Sequence, residues 1–188
     1  MLSNASPKEI RQYMRRQRQH LSPDTYQKSQ QKITAKTLAF IQQQQAKNIA
    51  LYLTFDGEIS TQEIIQQLWQ LKKNVFLPVL HPFVKGHLLF LAYTPNTQMI
   101  VNKFGILEPK LQVQNIIPLN ELDIIFTPLV AFDEQNNRLG MGGGFYDRTL
   151  QNWQQKSFLP IGLAYSWQKL PSLPVNPWDQ PLHQILTD

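Results

Sequence analysis

The stretch NIALYLTFDGEISTQEIIQQLWQLKKNVFLPVL, residues 48–80, decides the fold, because short apolar runs and amphipathic segments alternate from here onward. Ile49–Leu53 predicts a strand, and Asp56-Gly57 predicts a turn. Ser60-Thr-Gln-Glu63 matches a capping box that opens a helix with an apolar face. Val75–Leu80 predicts the next strand, and this strand–helix–strand order favours an α/β fold with a mostly parallel sheet.

Four further segments continue the pattern. The predicted strands are Leu88–Tyr93, Asp123–Val130, Ile161–Tyr165 and Gln184–Leu186. Asp123–Val130 is almost continuously apolar, as expected of a strand that is covered on both faces. The Pro-rich segments 94–100 and 168–181 lack periodicity and predict ordered surface loops. We therefore expect a layered α/β/α fold in one domain over residues 1–188.

Residues 1–46 carry a different pattern, which predicts two basic helices that pack on the α/β body. Ser6 before Pro7 is typical of an N-cap followed by proline at the first helical position, and it predicts a helix to about residue 20. Ser22-Pro23 repeats this signal and predicts a second helix that reaches about Gln45.

The net charge of +5 comes from the same segment. Residues 1–36 hold eight Lys and Arg against two acidic residues, whereas the rest of the chain holds ten against eleven. A basic segment is compatible with three kinds of partner: nucleic acid, an anionic membrane, or small anionic substrates.

Composition excludes several classes. The 188 residues contain no Cys, which excludes disulfides, thiolate metal sites and a cysteine nucleophile, and 42% hydrophobic residues exclude a disordered chain. No apolar run reaches the roughly 18 residues that could span a bilayer, and the first residues do not resemble a signal peptide. We therefore expect a cytoplasmic protein.

The most informative motif is RLGMGGGFYDR, residues 138–148, between a buried-type strand and a predicted helix over about 145–153. Glycines let several backbone N–H groups converge on an anion, and a following helix adds a favourable dipole. The motif therefore predicts a phosphate site. It lacks the Lys of a Walker A loop, and Phe145 stands where the dinucleotide fingerprint needs its third glycine. By itself, Asp147 fits a Mg²⁺ ligand and a first-turn helix acid equally well.

The glycine motif resembles that of the 5-formyltetrahydrofolate cyclo-ligase family, also called 5,10-methenyltetrahydrofolate synthetases, which typically shows Arg-Leu-Gly-x-Gly-x-Gly-Tyr-Tyr-Asp. Further blocks of the same resemblance follow in family order over nearly the whole chain. They are Lys8-Glu-Ile-Arg11, Glu58-Ile-Ser-Thr61, Phe104-Gly-Ile-Leu-Glu-Pro109, Asp123-Ile-Ile-Phe-Thr-Pro128 and Leu173-Pro-Val-Asn-Pro-Trp-Asp179.

The resemblance implies an ATP- and Mg²⁺-dependent cyclisation of 5-formyltetrahydrofolate to 5,10-methenyltetrahydrofolate, with release of ADP and phosphate. In this chemistry the formyl oxygen attacks the γ-phosphorus, and N10 then attacks the activated carbon. Such a reaction needs positioning and charge stabilisation rather than a covalent nucleophile. The implied partners are two small molecules, with no nucleic acid and no membrane, and the implied state is a monomer.

The resemblance also implies roles for individual residues. ATP binding falls on Lys8, Glu9, Ile10, Arg11, Arg138, Leu139, Gly140, Met141, Gly142, Gly143, Gly144, Phe145 and Tyr146. Folate binding falls on Leu53, Glu58, Phe104 and Met141–Phe145. Arg138 and Tyr146 are the implied catalytic residues, and Asp147 and Asp179 are the implied Mg²⁺ ligands. Phe104 and Phe145 stand where the family often has Trp or Tyr, so we expect apolar contacts there but no side-chain hydrogen bond.

Other interpretations of these residues remain open in the sequence. Glu58 also fits a solvated acid before a helix, Phe104 a core aromatic, and Asp179 an acid in a Pro-rich loop. The four His have no metal-like spacing and receive no role. Trp167 and Trp178 flank the last loop and are expected to pack, with shielding of the site as the alternative. Two rival functions are a nucleic-acid binder that uses the basic helices, and an ATP-independent enzyme resembling sugar-phosphate isomerases or CoA-transferases.

Overall fold

The computed structural model of this protein describes residues 5–188, which form four α-helices and eleven strands. The helices are α1 (Pro7–Gln19), α2 (Pro23–Gln43), α3 (Gln62–Gln70) and α4 (Phe145–Thr149). The strands are β1 (Asn48–Ala50), β2 (Asn74–Leu80), β3 (Leu88–Ala92), β4 (Met99–Val101), β5 (Leu107–Pro109), β6 (Ile116–Ile117), β7 (Ile124–Thr127), β8 (Ala131–Phe132), β9 (Arg138–Leu139), β10 (Leu159–Ala164) and β11 (Gln184–Thr187).

Seven strands form the main sheet, in the order β11-β10-β7-β1-β2-β3-β6. The five strands from β11 to β2 are parallel, and β3 and β6 continue the sheet through antiparallel pairing. Two hairpins stand outside this sheet, β4–β5 and β8–β9. The structure thus confirms the predicted mixed α/β fold with a mostly parallel sheet.

The strand order reverses direction at β1. The chain leaves β1 through α3 to reach β2 on one side, and it later returns to place β7 on the other side of β1. In open parallel sheets of this kind, a crevice forms at the carboxyl ends of the strands on either side of the reversal. The topology therefore predicts a binding crevice at the carboxyl ends of β1 and β7.

The two faces of the sheet are covered differently. On one face α2 and α3 bury Ile33, Phe40, Ile64 and Leu68 against strand residues such as Phe126. The opposite face packs against Leu150, Phe158 and Leu182, which come from the segments after α4 and before β11. One outer layer is therefore made of two helices, and the other of a short helix and loops.

Helix α1 packs away from the sheet, against the β8–β9 hairpin. Ile10 and Met14 are buried with Val130, Ala131 and Leu139 in a separate cluster. The Ser6 hydroxyl accepts a hydrogen bond from the Glu9 backbone N–H, and the Glu9 carboxylate accepts one from the Ser6 N–H. This capping box fixes the start of α1, as the Ser6-Pro7 signal predicted.

Two local predictions at helices were wrong. The N-cap of α3 is Thr61, which makes no side-chain capping bond because its hydroxyl donates to the Tyr52 carbonyl. The Glu63 carboxylate instead accepts a hydrogen bond from Gln67, at 3.2 Å. Helix α4 ends at Thr149 rather than near 153, and the chain then reaches a left-handed conformation at Asn152, where φ is 56°.

Candidate active site

A cavity of about 1240 Å³ opens at the carboxyl ends of β1, β2 and β7. Tyr52 and Leu53 follow β1, Pro128 and Leu129 follow β7, and all four line the cavity. Pro78 lines it from β2. Pro78 lies beyond the last β2 residue that pairs with β1, so its missing N–H costs no hydrogen bond to β1. The crevice that the strand order predicts therefore coincides with this cavity, which we call the main cavity.

The glycine-rich loop forms one wall of this cavity, between β9 and α4. Gly140, Met141, Gly142, Gly143 and Gly144 all line it. Gly142 has φ 97°, which side chains rarely tolerate, and a Cβ there would lie 3.4 Å from the Arg11 guanidinium. Arg11 Nε donates to the Gly140 carbonyl at 2.8 Å. Helix α1 therefore holds the loop directly.

The other three ATP-site predictions on α1 lie elsewhere. Lys8 is exposed, Ile10 is 1% exposed in the core, and the Glu9 carboxylate caps the helix. Pro7 and Arg11 are the α1 residues that line the cavity. The unbound protein brings Arg11 to the site, while contact of ATP with Lys8, Glu9 and Ile10 stays a prediction.

Arg138 enters the cavity from β9 as a buried cation. Its Nη2 donates to Asp147 Oδ1 at 2.7 Å, and its guanidinium lies 5.8 Å from the centre of the Tyr146 ring. Burial lowers the pKa of Arg138, and the charge of Asp147 opposes that shift. Its buried Nε has no hydrogen-bond partner among the described residues, so one donor is available to a ligand.

Tyr146, in the first turn of α4, lines the same cavity. Its hydroxyl is buried and has no hydrogen-bond partner within residues 5–188. Burial, followed by the charge of Glu58, raises the pKa of Tyr146. The phenol therefore stays protonated near neutral pH and can donate a hydrogen bond to a ligand oxygen.

Glu58 also lines the cavity and is 7% exposed. Burial raises the pKa of Glu58 to about 7, although Arg18 and the Phe55 N–H lower it and Asp56 raises it further. The Phe55 N–H donates to the carboxylate at 3.2 Å. This environment excludes the alternative of a solvated acid, and a buried carboxylate facing a cavity is a candidate binding group.

Arg18 places a second buried cation behind Glu58. Its Nη2 donates to the Leu129 carbonyl at 2.6 Å, and its side chain packs where a Cβ on Gly57 would fall, 3.0 Å from Arg18 Cβ. On the same helix, Arg15 Nε lies 2.8 Å from an oxygen of Asp56. Helix α1 thus touches both the glycine loop and the turn that carries Glu58.

Two aromatic rings form the outer part of the cavity wall. Phe104 and Phe145 meet edge to face, with 6.0 Å between the ring centres. Phe104 is 52% exposed, which excludes the alternative of a core aromatic. Leu53, another folate residue implied by the resemblance, is half-buried and lines the same cavity.

Asp147 and Asp179 both line the cavity, and the negative charge of each raises the pKa of Arg138 against the effect of burial. Asp179 Oδ2 accepts from the Asn176 backbone N–H at 2.7 Å, and Asp147 Oδ1 accepts from Arg138. Residues 5–188 contain no cluster of three or more His or acidic residues that could hold a metal ion by themselves. A metal here would need ligands from a substrate as well as from these two acids.

Several lining residues carried no sequence signal. Asn102 and Glu108 belong to the β4–β5 hairpin, where Glu108 is buried and accepts from Asn102 Nδ2 at 3.0 Å. For Trp178 the packing prediction was wrong, because the residue is 66% exposed and lines the cavity. Trp167 stacks on Tyr165, as that prediction expects. Lone polar residues in short strands give no periodic pattern, so only a family motif could have found them.

None of the helices in residues 5–188 is both long and apolar enough to cross a membrane.

The model of the 5-formyltetrahydrofolate cyclo-ligase family matches residues 3–188. A 5-formyltetrahydrofolate cyclo-ligase of Haemophilus influenzae is 61% identical over 178 residues, which cover 95% of each chain. The Escherichia coli K12 protein of the same name is 48% identical and covers 93% of this chain and 96% of its own.

Solved structures agree with the sequence relatives. A 5,10-methenyltetrahydrofolate synthetase from Mycoplasma pneumoniae superposes with a TM-score of 0.77 at 27% identity, covering 97% of this chain and 99% of that one. The synthetase of Aquifex aeolicus gives a TM-score of 0.79 at 27% identity, covering 98% and 89%. With a family model that spans nearly every residue and relatives that are 48% and 61% identical along almost their full length, the chain belongs to the 5-formyltetrahydrofolate cyclo-ligase family.

Proposed function

We propose that this enzyme converts 5-formyltetrahydrofolate to 5,10-methenyltetrahydrofolate, and that it uses ATP and Mg²⁺ to do so. Membership of the family supports the conversion itself. The observation that supports the ATP-dependent form is that one cavity joins a glycine-rich loop, a buried Arg138 and the buried carboxylate of Glu58. The same cavity thus holds an anion-binding loop and a group suited to the amino-pyrimidinone edge of a folate.

Glu58 is the group that would orient the folate. An ionised carboxylate accepts two hydrogen bonds from the amino-pyrimidinone edge, and such charge-assisted pairs are short and directional. The rings of Phe104 and Phe145 offer apolar surface for the rest of the ring system. Leu53 adds apolar contact from the end of β1.

The glycine loop is the group that would hold the ATP phosphates. Helix α4 has only five residues, so its dipole contributes little. The backbone N–H groups of Gly140–Gly144 would therefore be the main donors to the phosphates. Arg11 lies against this loop and adds a positive charge at the cavity wall. We expect Lys8, Glu9 and Ile10 to contact ATP only if α1 moves toward bound nucleotide.

The reaction would proceed in two displacements. The formyl oxygen attacks the γ-phosphorus and ADP leaves; N10 then attacks the activated carbon, the N10 proton is lost, and phosphate departs with the formyl oxygen. Arg138 would stabilise the charge on the transferring phosphoryl group, because its guanidinium is buried and one of its nitrogens has no partner among the described residues. Tyr146 would donate a hydrogen bond to the formyl or a phosphate oxygen.

The residues present fit Mg²⁺. Hydrogen bonds from the described residues fall on Oδ1 of Asp147 and on Oδ2 of Asp179, and each carboxylate keeps a second oxygen. Two carboxylates that act together with substrate phosphates are the usual protein contribution to a Mg²⁺ site. When bound, the ion neutralises phosphate charge during transfer.

Three of the basic residues that favoured a nucleic-acid binder have partners within this chain. Arg11 and Arg18 donate to backbone carbonyls of this chain, and Arg15 pairs with Asp56. An isomerase-like enzyme would need no ATP, so dependence of turnover on ATP separates it from the proposed function. No observation on the described residues favours either rival.

The test is to incubate the enzyme with 5-formyltetrahydrofolate, ATP and Mg²⁺, and to follow methenyltetrahydrofolate by absorbance and ADP in a coupled assay. We expect one ADP per methenyltetrahydrofolate, and no product when ATP is omitted or replaced by a non-hydrolysable analogue. Folded enzyme that forms product without ATP would refute the ATP-dependent chemistry, and no product under any condition would refute the conversion. Binding of generic RNA that weakens steeply with salt would favour the nucleic-acid rival.

A further inference from the structure

A second cavity of about 280 Å³ adjoins the active-site cavity. We call it the side cavity. The two cavities share Leu80, Phe104, Gly143, Phe145 and Arg148 as lining residues. The remaining wall of the side cavity is formed by His81, Lys85, Gly86, His87 and Lys103.

Every ionisable residue that lines the side cavity is basic. Three are cations at neutral pH, Lys85, Lys103 and Arg148, and His81 and His87 are the others. The residues outside the first 36 of this chain have nearly balanced charge, with ten basic against eleven acidic residues. A cavity lined by five basic residues and no acidic one among the described residues is therefore a local concentration of positive charge that the body of the protein does not share.

Hydrogen bonds hold this wall in place. Arg148 Nη1 donates to the Gly86 carbonyl at 3.1 Å and to the Gly143 carbonyl at 3.0 Å, so it joins the turn between β2 and β3 to the glycine loop. Gly86 has φ 83°, and a Cβ there would lie 2.6 Å from the Arg148 guanidinium, so this contact requires glycine.

His81 presents a donor from the same turn. Its Nδ1 accepts from the backbone N–H groups of Phe83 at 3.2 Å and Val84 at 3.0 Å. These two bonds place the proton of the neutral imidazole on Nε2, which is then an N–H donor whether or not the ring is charged. Lys103 is also positioned, with its Nζ 5.3 Å from the centre of the Phe104 ring.

The charged lining of the two cavities differs, because the main cavity has both acidic residues and arginines, whereas the ionisable residues of the side cavity are all basic. Glu58, a hydrogen-bond acceptor, lines the main cavity; Phe104 and Phe145 line both cavities; and the five basic residues line the side cavity. The folate substrate has the complementary polarity, since its amino-pyrimidinone end donates hydrogen bonds, its middle is an aromatic ring, and its glutamate end carries two carboxylates.

From this match we infer that the side cavity binds the glutamate carboxylates of the folate substrate. The inference rests on the proposed function, because it takes the folate as the ligand of the main cavity. Lys85 and Lys103 supply charge, Arg148 fixes the wall, and the Phe104–Phe145 pair separates the carboxylates from the reacting formyl group. The lysines act on substrate affinity and not on the chemical step.

The experiment compares Lys85→Ala/Lys103→Ala with the wild type on two substrates, 5-formyltetrahydrofolate and 5-formyltetrahydropteroate, which lacks the glutamate. The loss of two partly exposed ion pairs together should weaken substrate binding by about tenfold. We expect the KM for 5-formyltetrahydrofolate to rise by about that factor with kcat and the KM for ATP unchanged, and the ratio to shrink with added salt. With the pteroate analogue, variant and wild type should have the same KM.

The matched control is Lys32→Ala/Lys110→Ala, which removes two exposed lysines that line neither cavity. It should behave as the wild type on both substrates. An equal rise of KM for both substrates, or a rise of the KM for ATP instead, overturns the inference, because the lysines would then not recognise the glutamate.

A failure of the proposed function is distinguishable from a failure of this inference. Equilibrium binding of 5-formyltetrahydrofolate and of the pteroate analogue, measured by calorimetry without ATP, needs no turnover. If the wild type makes no product, a binding difference that appears only with the glutamylated ligand still supports the side cavity. Equal binding of 5-formyltetrahydrofolate to wild type and variant overturns it.

Discussion

Arg138 Nη2 lies 2.7 Å from Asp147 Oδ1, and the Arg138 side chain is 3% exposed. The residue proposed to stabilise the transferring phosphoryl group is therefore in contact with one of the acids proposed to bind Mg²⁺. The charge of Asp147 opposes the lowering of the Arg138 pKa by burial, so the two residues form one electrostatic unit. Their removal should have different effects on turnover, metal dependence and stability.

Arg138→Ala should lower kcat by about 10²- to 10³-fold, the usual cost of a lost donor at developing charge, and change the folate KM by less than about threefold. The free energy of unfolding should fall by about 3 kcal/mol, since the substitution leaves one member of a buried pair without its partner. Steady-state kinetics and urea unfolding measure both effects. Equal losses of kcat and folate affinity would indicate a mainly structural Arg138, and Arg138→Lys shows how much depends on charge alone.

Asp179→Asn should raise the Mg²⁺ concentration for half-maximal rate by about tenfold or more while it leaves the Arg138–Asp147 pair intact. Asn keeps an oxygen for the Asn176 backbone N–H, so the change in unfolding free energy should stay within about 1 kcal/mol. Asp147→Asn should raise the Mg²⁺ requirement and also destabilise the fold. A Mg²⁺ titration that is unchanged in both variants contradicts the assignment of these acids as ligands.

Glu58 should make both stability and activity depend on pH. The folded protein holds a proton on Glu58 up to about pH 7, whereas a free glutamate loses it near 4.5, so the folded state binds more protons between these values. The contribution of Glu58 therefore lowers the free energy of unfolding as pH rises through this window, by about 3 kcal/mol at the upper end. Urea unfolding at pH 5 and pH 8 should show a smaller difference in Glu58→Gln than in the wild type.

The same group should shape the activity profile. Because the ionised carboxylate binds the folate, kcat/KM should rise with pH up to about 7. Glu58→Gln should lose this limb and bind folate more weakly, while Glu121→Gln, which changes an exposed acid, should keep it. A limb that persists in Glu58→Gln would assign the titration to another group.

Gly142→Ala should raise the KM for ATP by about tenfold or more, because Ala adds strain at φ 97° and brings Cβ to 3.4 Å from the Arg11 guanidinium. Gly105→Ala is the control, since Gly105 also has a positive φ, 76°, but no neighbouring atom lies within 4 Å of the point where its Cβ would fall. Both substitutions cost about 1 kcal/mol or more in backbone strain, so the comparison isolates the crowding at the loop. Equal effects on ATP would show that strain alone is measured.

Arg11→Met should weaken ATP binding by about tenfold, through loss of the charged hydrogen bond that holds the Gly140 carbonyl. Arg16→Met, an exposed arginine on the same helix, should bind ATP as the wild type does. Arg11→Met should also relieve part of the effect of Gly142→Ala, since it removes the guanidinium that Cβ meets. Strictly additive effects in the double variant would show that the two positions do not interact.

The sequence predicted the fold where local pattern and tertiary structure agree. The order β1–α3–β2 and the capped start of α1 follow their sequence signals, whereas β7 covers only Ile124–Thr127 of the predicted strand Asp123–Val130. The β4–β5 and β8–β9 hairpins were missed, because strands of two or three residues carry no periodicity. These hairpins nevertheless place Asn102, Phe104 and Arg138 at the cavity.

The site was predicted less completely than the fold. The glycine loop was visible because glycines crowd into residues 140–144, but the burial of Glu58 was not. That burial depends on α1, whose Arg15 and Arg18 cover the turn from a point about 40 residues earlier in the chain. Likewise, the net charge suggested an external polyanion, whereas three of the N-terminal arginines bind this chain itself.

The contact between Arg11 and the glycine loop joins positions that lie 129 residues apart in the chain. A helix residue and a loop residue that touch in this way cannot vary independently during evolution. A relative with a side chain at position 142 should carry a shorter residue at position 11, and a relative that keeps Arg11 should keep glycine at 142. Pairwise covariation between these two columns is therefore the trace that this contact should leave in the family.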